Sequence, residues 1–144
     1  MTTPSEEIMF GSRILAEVLE PHGFVFELGA VGASSGGAFA SGSFKADSRA
    51  LEFSVRHGLG QVTYQYGDAR IGHEEFLRYS GQWGVHAYPC FGSSVQQSFT
   101  SLRDDLIKCL SSFVEGREEE FIGITNVRDA EPDKFKGFAV VGSQ

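Results

Sequence analysis

The run Leu51-Glu52-Phe53-Ser54-Val55-Arg56-His57, followed after Gly58-Leu59-Gly60 by Gln61-Val62-Thr63-Tyr64-Gln65-Tyr66, decides how this chain folds. Leu51, Phe53 and Val55 alternate with Glu52, Ser54 and Arg56, and Val62, Tyr64 and Tyr66 alternate with Thr63 and Gln65. Successive side chains of a strand point to opposite faces, so each run predicts a half-buried antiparallel strand with one packed face. The glycine-flanked connection joins them as a hairpin.

Working outward toward the N-terminus, Ala46-Asp47-Ser48-Arg49 is a turn, and Phe39 and Phe44 belong to a preceding strand. Those two phenylalanines have opposite parity, so a bulge near Ser41-Gly42 is expected if both are to enter one core. Phe24, Phe26 and Leu28 alternate with Val25 and Glu27 as a first strand, and Ser34-Ser35-Gly36-Gly37 turns the chain between Val31 and Phe39. A phosphate-binding glycine loop would have to open a helix, whereas this one opens a strand. Four sequential strands with short links predict a meander.

Helices flank the meander. Thr3, Pro4 and Glu6 form a capping-box start, and Ile8, Gly11, Leu15, Val18 and Leu19 make one apolar stripe to about Glu20, where Pro21-His22-Gly23 stops it. Residues 71–79 predict a short helix with acids in its opening turn. Residues 80–94 form a glycine-rich loop carrying Trp83, Tyr88 and Phe91. A second long helix starts near Ser93-Ser94, presents Val95, Phe99, Leu102, Leu106, Cys109, Leu110 and Phe113, and ends before Gly116. A short helix from Glu118 and a closing strand near Phe138 to Val141 complete the reading. The fold class is α+β: an antiparallel four- to five-stranded meander packed on one face by an N-terminal helix and a long helix in the C-terminal half. It forms a single domain over residues 1–144.

The totals agree, since 144 residues with 41% hydrophobic and 22% charged content suit one globular core. A formal net charge of -7 excludes a phosphate-backbone binder, which needs clustered Lys and Arg, and suits a basic protein partner. No segment has the 18 or so apolar residues of a membrane span, and the N-terminus lacks a basic region before an apolar stretch. A cytoplasmic protein without membrane or nucleic-acid partners is expected. Cys90 and Cys109 have no ligand-like spacing and read as free buried thiols, and neither a metal nor a cofactor is expected.

Chemical motifs are sparse. His73-Glu74-Glu75 lacks the second histidine four residues on that a zincin helix needs, because Leu77 stands there, so His73 reads as part of a solvated helix start. His57 falls at an inward position beside Gly58 and reads as a histidine at the edge of the core. Asp104 and Asp105 diverge by about 100° on a helix, so they are not a catalytic pair; one is solvated and the other contacts a partner. No serine lies in a nucleophile-elbow context.

The run Phe53-Ser54-Val55-Arg56-His57-Gly58-Leu59-Gly60, with Tyr64-Gln65-Tyr66-Gly67-Asp68, Ile71-Gly72-His73-Glu74-Glu75-Phe76, Tyr88-Pro89-Cys90-Phe91 and the Phe99, Leu102, Asp105, Leu106 spacing, resembles small uncharacterised bacterial proteins. Some of those resemble immunity proteins of polymorphic toxin systems. The shared features are packing and turn signatures over roughly residues 50–115, and they transfer no functional residue. The resemblance implies a non-enzymatic protein that neutralises a toxin by binding it.

Loops and helix ends held by a rigid sheet are where binding residues sit, which points to Glu74, Glu75, Trp83, Tyr88, Glu118, Glu119 and Glu120 as partner contacts. The alternatives are a ligand-binding or enzymatic domain whose pocket is shared by His57 and His73, and a phage-type inhibitor of a nucleic-acid-binding machine. The oligomeric state is not encoded in any of these motifs.

Overall fold

The computed structural model describes residues 3–34, 37–88 and 94–130. Helix α1 (Pro4–Leu19) starts as its capping box dictates. The Glu6 N–H donates to Thr3 Oγ1 at 3.2 Å, and the Thr3 N–H donates to Glu6 Oε1 at 2.9 Å. The hydrogen bonds from Thr3 hold the Glu6 carboxyl below its ordinary range. The buried stripe is Ile8, Gly11, Ser12, Leu15 and Leu19, and α1 leads into a 3-10 turn, Glu20–His22.

Five strands follow in antiparallel order: β1 (Val25–Ser34), β2 (Gly37–Ala46), β3 (Arg49–Val55), β4 (Leu59–Tyr66) and β5 (Ala69–Gly72). This is the expected meander. It takes Ile71 and Gly72 away from the predicted helix, because Ile71 pairs with Tyr64 and Gly72 with Thr63 across the ladder. Helix α2 (His73–Tyr79) begins only after them.

The bulge expected near Ser41-Gly42 lies instead on the facing strand, where the register shifts between Leu28 and Val31. There the Ala30 N–H donates to Ser41 Oγ at 2.9 Å, and a Cβ on Gly29 would lie 2.7 Å from that hydroxyl. Phe39 and Phe44 therefore keep opposite faces. Phe44 packs in the core between Phe26 and Phe53, whereas the Arg56 guanidinium covers the Phe39 ring at 5.1 Å on the other side. A second shift falls between Glu52 and Ser54, opposite Gln61, whose φ is +53°.

The predicted long second helix is broken. Helix α3 (Val95–Lys108) ends where the N–H groups of Cys109 and Leu110 both reach the Asp105 carbonyl, at 2.7 and 3.2 Å, and a short α4 (Ser111–Val114) follows. Helix α5 (Glu118–Ala130) is longer than expected at 13 residues. The strand expected at 138–141 lies outside the described residues, as do Cys90 and Phe91. Cys109 is free and buried, and burial raises its thiol pKa.

Among the described residues the helices pack on one face of the sheet. Helices α1 and α3 approach so closely that a Cβ on Gly11 would sit 2.4 Å from the Phe99 ring. Phe99 meets Phe53 edge-on at 5.7 Å, and Phe76, Phe113 and Phe121 close the core around Tyr64. Each such side chain removed from water contributes about 1.5–3 kcal/mol. The buried Arg49 guanidinium donates to the Phe113 and Val114 carbonyls at 2.8 and 2.7 Å, so it caps α4 from the sheet. The opposite sheet face is polar and open, with Ser41, Ser43, Ser54 and Thr63 beside an Arg70–Glu52 ion pair of 2.6 Å.

Among the described residues no helix is long and apolar enough to cross a membrane.

Candidate functional site

Three places in the fold combine chemistry with shape: a buried polar cluster around His73, the acidic start of α5, and an open groove beside α1. The first is built by the sheet. Tyr64 points into the core from β4, and β5 turns directly into α2, which places His73 over the tyrosine hydroxyl at 2.6 Å from Nδ1. The other ring nitrogen, Nε2, lies 2.9 Å from Asp105 Oδ2 on α3. His73 is 3% exposed and Asp105 fully buried, so the solvated histidine expected at the helix start is instead a core residue.

Proton positions follow from the partners. A buried carboxylate accepts, so His73 Nε2 carries the hydrogen and Nδ1 receives the Tyr64 hydroxyl. Burial first, and the Asp105 charge second, push the Tyr64 phenol well above its ordinary pKa, which keeps it a donor. Asp105 also accepts the N–H groups of Ala87 at 2.6 Å and Tyr88 at 2.9 Å. Asp105 thus anchors the loop after α2, while Asp104 on the next position is half-exposed. Adjacent helix positions separate the two roles.

His73 borders a cleft of about 380 Å3 lined also by Gln61, Thr63, Glu74, Glu75 and Tyr88. Both its ring nitrogens are committed within the protein. His57 does not share that cleft. It is exposed in the turn between β3 and β4 at φ +58°, with its ring against Gly37, so the inward position expected for it is lost where the strand ends at Val55. The structure brings no pair of histidines onto a common ligand position in this cleft. Among the described residues no group of three or more His, Cys, Asp or Glu side chains is placed to hold a metal ion.

The residues expected to contact a partner are dispersed. Glu74 and Glu75 open α2, and Glu75 lies 3.6 Å from Arg128 near the end of α5. Glu118, Glu119 and Glu120 open α5, about 15 Å from Arg128 at 1.5 Å per residue. Trp83 is 47% exposed, stacked on His86 at 4.2 Å and covered by the Arg78 guanidinium. Tyr88 is 8% exposed, and its hydroxyl donates to the Leu59 carbonyl at 2.8 Å.

The groove beside α1 was not anticipated. It spans about 900 Å3 and is lined by Met9, Phe10 and Arg13 of α1, Leu28 of β1 and Val95 at the start of α3, with Glu6 and Glu7 at one end. Met9, Phe10 and Leu28 are 41%, 45% and 47% exposed. The sequence does hold a signal for it, because Met9 and Phe10 are apolar yet fall outside the Ile8, Gly11, Leu15 stripe that the core uses. Other exposed apolar groups, such as Ile107 and Val127, stand apart from this groove.

Compared with known proteins, the chain matches no family model, no curated protein and no solved structure.

Proposed function

We propose that this chain is a non-enzymatic binding protein of the cytoplasm that neutralises a cognate protein toxin by docking it, and that the docking surface is the groove between α1, β1 and the start of α3. The observation that supports this reading is the exposure of Met9, Phe10 and Leu28 in one groove beside Glu6 and Glu7. Clustered large apolar side chains at a surface mark a site that is covered in use. A net charge of -7 favours encounter with a basic partner, as a nuclease-type toxin would be.

The buried Tyr64, His73 and Asp105 cluster fits a supporting role, holding α2, α3 and the 81–88 segment rigid so that the surface is presented without reorganisation. The test is co-purification of the tagged chain and its Phe10→Asp variant from the native host. A basic protein retained by the wild type and lost from the variant, whose expression arrests growth unless the chain is co-expressed, is the expected result. Retention of no protein by the wild type, or equal retention by the variant, contradicts the proposal.

A further inference from the structure

We infer that the toxin enters this site as an extended segment that adds a strand to the outer edge of β1, with alternate apolar side chains entering the groove and a cationic residue beside Glu6 and Glu7. The inference rests on the docking role proposed above and specifies the kind of partner surface it needs.

Strand β1 ends the sheet, pairing with β2 alone among the described residues. An edge strand presents a row of main-chain donors and acceptors to any second chain, and proteins that avoid this place lysine, proline or a bulge along it; in β1 the bulge comes only after Leu28. The ten residues of β1 contain neither. Its one charged member, Glu27, is neutralised by Lys45 of β2 at 3.3 Å, and Val25 and Leu28 are 66% and 47% exposed.

Groove and edge are continuous. Leu28 belongs to both, since it lies on β1 opposite Gly42 and also lines the space under Met9 and Phe10. Gly42 faces the helices, where a Cβ would meet Phe26 and Ile8, so Leu28 projects to the helix side as well. A strand laid along β1 would run about 4.8 Å beyond it, and every second side chain would then project to the helix side, beside Leu28 and into the groove. The remaining side chains would face the open polar face.

The bulge limits where this occurs. Ser41 Oγ holds the Ala30 N–H, so the regular ladder breaks after Leu28 and residues 25–28 form the straight segment next to the groove. Charge gives the direction of the pattern. Glu6 and Glu7 lie at the α1 start and Arg13 farther along the helix, so a cation of the occupant belongs at the first end and an apolar residue beyond it. This is recognition by sheet addition, in which main-chain hydrogen bonds supply affinity and the groove reads alternate side chains.

The probe is a six-residue peptide of lysine followed by alternating threonine and valine, acetylated and amidated, titrated to millimolar concentration against the full chain. Its twin carries N-methyl groups on alternate residues, which keep the side chains but remove the donors a strand needs. The expected result is roughly tenfold slower amide exchange at outward-facing positions of residues 25–28 with the first peptide. The methylated twin and the Phe10→Asp variant should abolish the effect. Equal binding of both peptides, slowed exchange at residues 69–72 instead, or no binding of either overturns strand addition. If the toxin is still lost from Phe10→Asp in the host experiment, those outcomes leave the docking role standing. If toxin retention is indifferent to Phe10→Asp, the docking role itself fails.

Discussion

His73 Nε2 stands 2.9 Å from Asp105 Oδ2, and the two side chains, 32 residues apart in sequence, are sealed together under the loop that follows α2. Asp105 accepts from three donors there, so removing it orphans the His73 ring and the Ala87 and Tyr88 amides at once. Leaving a buried donor without its acceptor costs about 1–3 kcal/mol for each, so Asp105→Ala should lower the urea midpoint severely. Asp104→Ala, half-exposed on the next position, should stay within about 0.5 kcal/mol of the wild type. Equal effects of the two substitutions would remove the anchoring role.

Tyr64 gives a pH signature. Burial raises its folded pKa above that of the unfolded chain, so the folded state holds the proton more tightly. Its contribution to stability is therefore complete below the unfolded value of about 10 and declines as pH rises from there through the raised folded value. In an alkaline titration followed at the phenolate absorbance, the Tyr64 component should lag until the chain unfolds, and that lagging component should vanish in Tyr64→Phe. A lagging component that persists unchanged in Tyr64→Phe would contradict the assignment.

Gly11 decides the approach of α1 to α3. Alanine is favoured over glycine in a helix interior by about 1 kcal/mol. The added methyl would nevertheless lie 2.4 Å from the Phe99 ring, and overpacking typically costs about 1–3 kcal/mol. Gly11→Ala should thus destabilise on thermal unfolding, and Phe99→Leu in the same chain should recover part of the loss. A stabilising Gly11→Ala would show that helix propensity outweighs the contact.

Arg49 joins the sheet to α4 by donating from one guanidinium nitrogen, Nη1, to two carbonyls, with its plane 4.7 Å over the Phe24 ring. Lysine retains the charge and can donate more than one hydrogen, but its stem is shorter and it lacks the plane that lies on Phe24. Arg49→Lys should cost about 1–3 kcal/mol in chemical denaturation, because at least one buried carbonyl loses its donor. An unchanged midpoint would mean that charge alone suffices.

The meander and its two main helices were legible because they depend on local chemistry: period-two alternation in 51–66, turn residues such as Asp47 and Gly67, and the Thr3 and Ser94 caps all act within a few residues. The roles of His73 and Asp105 were not legible, since each depends on a partner brought close only by the fold. The same holds for Arg49, whose acceptors are 64 and 65 residues away. The bulge inferred from the parity of Phe39 and Phe44 rested on both entering one core, and that premise fails because Phe39 packs under Arg56 on the other face; the β1 bulge left no trace in that parity. The groove beside α1 was written in Met9 and Phe10, and it needed the position of Leu28 across the helix–sheet seam to become a site.

The most direct measurement is calorimetric affinity of the co-purified partner for three versions of the chain: wild type, Phe10→Asp, and a variant with Glu118, Glu119 and Glu120 all changed to Gln. Loss of a central apolar contact costs about 2 kcal/mol or more, so Phe10→Asp should weaken binding by about 30-fold or more. The triple variant, at the far end of α5, should change it by less than about threefold. Wild-type affinity in Phe10→Asp, with the loss appearing in the α5 variant instead, would contradict docking at the α1–β1 groove.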